Sequence, residues 1–195
     1  EREPRARCGY NPRSAKLSAK NLKFSLGQAM RTSARFQTAI EIVELCRAQD
    51  RPASQITSKY LRQRRYIGSK DRKIIRHLVF SVIRGRYQIE WYLSRMDIET
   101  SARALVFGHL ITTSETLDGL LSCCDGEAYS PSPLTPLEQT WLPQCLELSK
   151  GPLSKLPIWV RGNFPSWLGD ELSESFGSDL LPEMQALDSE APTDI

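Results

Sequence analysis

The sequence predicts an all-α fold, and three observations carry that expectation. Apolar residues recur at three- and four-residue spacing along most of the chain. No window holds the sustained alternation of a strand. Serine and threonine caps, a helix-opening proline and breaking glycines bracket the periodic stretches. Together they predict a helical bundle followed by a short helical linker.

Residues 1–29 are rich in Arg, Lys, Ser, Asn and Pro and lack helical periodicity, so they read as a basic tail. The chain begins at Glu1, and Met30 stands directly before the first patterned helix. Met30 therefore reads as the natural start, with 1–29 a disordered or non-native extension; the alternative is a basic arm that binds RNA. Residues 30–150 read as the main helical domain and 151–195 as the linker.

The first helix is expected from Ser33, as its cap, to about Asp50, with Phe36, Ala39, Ile40, Val43 and Cys46 on one face. After Pro52 a second runs from Ala53 to Arg64, with Ile56, Tyr60 and Leu61 inward and cations at its end. Gly68 breaks the chain and Ser69 is the expected cap of the third, with Asp71 in its first turn. There Ile74, Ile75, Leu78, Val79, Val82 and Ile83 fill one arc, opposite Arg72, Lys73, Arg76, His77 and Arg84. Gly85 separates it from a short helix carrying Ile89, Trp91, Tyr92 and Leu93, and another spans about Thr100 to Thr113. Ser130-Pro131-Ser132-Pro133 is a loop, and Thr135-Pro136-Leu137-Glu138 opens a helix reaching Leu148. Further helices are expected over Pro165–Phe176 and Leu180–Leu187.

Composition narrows the function classes. No apolar run reaches the roughly 18 residues that cross a membrane, and no signal-peptide segment is evident. A cytoplasmic protein is expected. Cys8, Cys46, Cys123, Cys124 and Cys145 form no C-x-x-C pair, so they read as small hydrophobes, not as metal ligands. Dinucleotide, P-loop, zinc-protease and serine-hydrolase motifs are all missing, and no catalytic residue is assigned. Asp170, Glu171 and Glu174 read as a solvated acidic face, His109 as a structural histidine, and Trp141, Trp159 and Trp167 as packing anchors.

The net charge of +3 conceals a strong segregation. Residues 1–95 carry 22 Lys/Arg against 7 Asp/Glu, a balance of +15, and the remainder 4 against 16, a balance of −12. The basic half should seek a polyanion. Its densest part brings Arg62, Arg64, Arg65, Lys70, Arg72, Lys73, Arg76, Arg84 and Arg86 to one helix–turn–helix junction, as candidate contacts to RNA phosphates. Phe80 falls among them and either stacks on an unpaired base or, by ordinary burial statistics, packs beneath another segment.

The run from Arg65 through Gly68-Ser69-Lys70-Asp71-Arg72-Lys73-Ile74-Ile75 to Val79-Phe80-Ser81-Val82-Ile83-Arg84 resembles the N-terminal domain of bacterial RNA cytosine-5 methyltransferases of the RsmB/Sun type. So do Asn163-Phe164-Pro165-Ser166-Trp167-Leu168, Phe176-Gly177, Glu183-Met184, Ala186-Leu187 and Ala191-Pro192-Thr193-Asp194-Ile195. The resemblance spans about Met30 to Ile195 and implies a NusB-like bundle that helps hold ribosomal RNA for a neighbouring catalytic domain. In that family the catalytic part uses S-adenosylmethionine and two cysteines in Pro-Cys and Thr-Cys contexts. None of the five cysteines here follows Pro or Thr, so no catalytic or cofactor residue carries over. A free-standing NusB-like antitermination factor is the rival expectation, and a clamp on an acidic partner protein a third.

Overall fold

The computed structural model describes residues 30–188, and these are helical with no strand. The expectations for residues 1–29, for Cys8 and for 189–195 lie outside the described residues.

α1 (Thr32–Ala48) lies against α3 (Ser69–Arg84) and α5 (Ala102–Thr113), with α2 (Ala53–Gln63) on its flank. α4 (Arg86–Arg95) follows α3 after Gly85 alone, and α5 returns through the middle of the bundle, touching α1, α3, α4, α6 (Leu117–Cys123) and α7 (Pro136–Ser149). Nearly every position of α5 from Ala102 to Ile111 is buried, which makes it the axis of the core. Around it pack Ala39, Ile42, Val43, Leu61, Ile75, Val79, Val82, Leu93 and Leu142. Gly108 permits the closest approach: a Cβ there would stand 2.7 Å from Ile89 Cγ2, so α4 and α5 meet where α5 has no side chain.

The periodicity of α3 selects the face that is buried: Ile75, Leu78, Val79 and Val82 point into the core. Ile74, expected in the same arc, is 45% exposed because it sits at the margin of the stripe. Two expected caps are corrected. Ser33 is buried inside α1, whose N-cap is Arg31, and Ser69 is the first helical residue after an extended Gly68. Real caps occur at Ser101, Thr116 and Thr135. Thr135 forms a full capping box: its hydroxyl accepts from Glu138 N at 3.1 Å while Glu138 Oε2 accepts from Thr135 N at 2.8 Å. Arg103 Nε donates to Glu138 Oε1 at 2.6 Å, tying α7 to α5.

Beyond α7 a small helical group packs on α4 through α8 (Ile158–Arg161), then continues as α9 (Gly169–Phe176) and α10 (Leu180–Asp188). Val160, Phe164 and Leu180 are buried there but stand apart from the main core cluster. Trp167 does not anchor packing as expected; it is 74% exposed. Trp141 is buried and does. Among the described residues no helix is long and apolar enough to cross a membrane.

Candidate nucleic-acid interface

The α2–α3 junction is a turn built by its own cations. α2 ends at Gln63, Ile67 N donates to Arg64 O at 3.1 Å, and the Ile67 side chain inserts into the core. Arg72 folds back from α3 and donates from Nε to Ile67 O at 2.9 Å and from Nη2 to Arg64 O at 3.3 Å. It thereby ties two carbonyls of the turn, that of Arg64 already accepting from Ile67 N, to the first turn of α3.

Asp71 is the only acid that α3 carries, and it turns inward. It is 6% exposed, accepts from Arg35 Nε at 2.9 Å and from Met30 N at 3.2 Å, and pairs with Arg35 Nη2 at 2.8 Å. A buried carboxylate needs that compensation, and the pair also fixes α3 against α1. The outward side of α3 is left without an acid.

The ten predicted contact residues then fall into three groups. Arg62, Arg65, Lys70, Lys73 and Arg76 are exposed, and among the described residues none has an ion-pair partner. Lys70, Lys73 and Arg76 follow one another at three-residue steps, so they rise along one side of α3 over roughly 9 Å. Arg64 and Arg72 are committed to the fold: Arg72 as described, and Arg64 stacked 3.5 Å over the Tyr60 ring and 3.8 Å from Glu41. Phe80 and Arg84 stand at the far end of α3, and Arg86 opens α4. Phe80 is half-buried yet outside the core cluster, and Arg86 stacks 4.4 Å over the Tyr87 ring. Arg84 lies close enough to Asp188 to pull on its titration, although burial is the larger influence and pushes that carboxyl up.

A groove of ≈ 1030 Å³ adjoins the free cations, running beside α2 and lined by Gln49, Arg51, Gln55, Lys59, Arg62 and Arg65 among others. None of its lining residues is acidic. Arg51 lies outside the cluster that the sequence points to. A signal for the groove is nonetheless present in the spacing, since Gln55, Lys59 and Arg62 recur at i, i+4 and i+7 along α2.

Burial pushes the thiols of Cys124 to about 11 and Cys145 to about 12, which keeps them protonated at neutral pH. His109 is driven the other way, to about 4, by burial first and by the neighbouring His77 second. A base so depressed stays neutral, and its ring sits beside the α3–α4 junction near Gly85. Its consequence is for stability. Between pH 6.5 and about 4 the unfolded chain binds a proton that the folded chain refuses. The contribution is complete above pH 6.5 and fades as pH falls to about 4. Unfolding free energy is expected to decline over that window by on the order of 1–3 kcal/mol, and His109→Asn should flatten the decline. Denaturant titrations at stepped pH check this; identical profiles for both proteins would contradict it.

The α2–α3 surface thus presents five exposed cations without an ion-pair partner among the described residues. No protein-family model, curated protein or solved structure matches this chain.

Proposed function

We propose that this chain is an RNA-holding helical domain that grips the phosphate backbone with the α2–α3 face. The observation that carries the reading is the set of five exposed cations, without ion-pair partners among the described residues, on a surface from which Asp71 has been withdrawn into the core. An ordinary solvated face mixes signs, because interspersed charges lower self-repulsion. A face that keeps its repulsion is suited to a partner that neutralises it.

In this reading the domain is the non-catalytic arm of an S-adenosylmethionine-dependent RNA cytosine-5 methyltransferase, as its sequence likeness to that family suggests. Its substrate would be ribosomal RNA. The bundle contributes position and affinity, and the chemistry belongs to a domain of a different fold.

Counterion release gives a direct test. If the five cations meet phosphates, log K for a single-stranded RNA oligonucleotide should fall against log salt with a slope of about −3 to −4, at roughly 0.7 per phosphate. Fluorescence anisotropy at several salt concentrations measures it. A flat profile, or no binding at low salt, would defeat the reading. Salt-sensitive self-association without RNA affinity would favour the protein-clamp alternative.

A further inference from the structure

A cleft of ≈ 510 Å³ opens between the start of α1, the α2–α3 turn and the loop that follows α6. Arg31 and Gln37 reach it from α1 and its cap, Tyr60 and Arg64 from α2 and its end, Tyr66 from the turn, and Tyr129 from the loop. Two of these rings are unusually open, Tyr66 at 59% and Tyr129 at 78% exposure. Large aromatic faces left to water in one cleft are unsatisfied contact surface.

Tyr129 also holds a backbone that a bulky side chain disfavours, with φ 69°. The loop imposes it. Glu127 N donates to Asp125 Oδ1 at 3.0 Å, Ser130 N to Glu127 O at 2.9 Å, and Gly126 N to Pro131 O at 3.0 Å. A strained, hydrogen-bonded turn thus presents a ring to a cleft. Of the two carboxylates that line the cleft, Glu41 takes Gln37 Nε2 at 3.1 Å, the Tyr60 hydroxyl and Arg64, while Asp71 is taken by Arg35. Asp125, exposed on the loop that carries Tyr129, lies close enough to Arg31 to interact with its charge.

We propose that this cleft receives unpaired nucleotides of single-stranded RNA, their bases stacking on Tyr66 and Tyr129 and a flanking phosphate meeting Arg31. The assignment rests on the RNA reading above and adds to it a preference for single strands. Its size suits one or two nucleotides and excludes a duplex, whose base faces are already covered. The turn from Arg64 to Gly68 borders both the cleft and the cationic side of α3, so one strand can engage the two together. Stacking of this kind tolerates any base, because every base has a π-face.

The test compares a single-stranded oligonucleotide with a duplex of the same sequence, on the whole chain. Tyr66→Ala with Tyr129→Ala should lower single-strand affinity about tenfold or more and leave duplex affinity unchanged. Phenylalanine at both positions should restore it, since the faces do the binding. Both side chains are exposed, so folding is not at stake. Equal losses on both RNAs, or no loss on either while salt-dependent binding persists, overturn the cleft assignment alone. A wild-type chain that binds neither RNA overturns the underlying reading and this one with it.

Discussion

Changing Lys70, Lys73 and Arg76 together to glutamate is expected to reduce affinity for single-stranded RNA by on the order of 100-fold near 0.1 M salt, with helicity by circular dichroism retained. Three attractive charges become three repulsive ones on a single side of α3. The salt slope should flatten by about 0.7 for each phosphate no longer neutralised. These side chains are the right ones to reverse because they are exposed and hold no ion pair among the described residues. Arg72, the neighbour that sequence position would include, is unsuitable. Its guanidinium holds the carbonyls of Arg64 and Ile67, and replacing it would confound weaker phosphate binding with a damaged turn. Unchanged affinity in the triple variant would falsify the assignment of the interface to α3.

The largest effect on stability is expected from Phe107→Ala, about 3–5 kcal/mol, with a thermal midpoint lower by roughly 10 °C or more. Phe107 is 0% exposed on α5, the axis that α1, α3, α4, α6 and α7 all meet. Truncation removes its burial and leaves a cavity that no single neighbour can collapse into, because the surrounding positions belong to separate elements. The Arg103 guanidinium, 4.5 Å above the ring, would lose that face and keep only its bonds to Glu138, Ser132 and Pro133. Urea titration measures the change. A cost under about 1 kcal/mol would mean that the core is not organised around α5.

How much of this is readable in the sequence depends on how local each cause is. The buried face of α3 follows from the spacing of Ile75, Leu78, Val79 and Val82 and needs no partner to be recognised. The start of α7 is equally local, because Thr135, Pro136 and Glu138 complete their capping box within four residues. α6 and α8 leave no trace in the pattern because helices of 7 and 4 residues hold too few turns for a period to register. Ser33 and Ser69 have the right chemistry for caps, but the helices begin one or more residues earlier and use them inside. The division of the basic cluster into free and committed cations is not legible at all. Asp71 turns inward because Arg35, 36 residues away, stands there to receive it. Arg64 is likewise occupied by Glu41, on another helix. Tyr129 precedes the Ser130–Pro133 loop and draws no reading from the sequence; the fold gathers it into a cleft with Tyr66.

Among the described residues the cations concentrate on α2 and α3 and the acids Asp170, Glu171, Glu174 and Glu183 on α9 and α10, and on the proposed reading this asymmetry acts toward RNA as an electric dipole. A dipole in the field of a polyanion feels a torque before it feels contact. The chain would arrive already turned, cations leading, so that fewer encounters are wasted on the wrong orientation. Orientation of this sort raises association rates by about 10- to 1000-fold at low salt and disappears once the Debye length shrinks below the size of the approach. The acidic helices, which touch no substrate in this picture, would then influence how fast the complex forms while leaving how long it lasts to the basic ones.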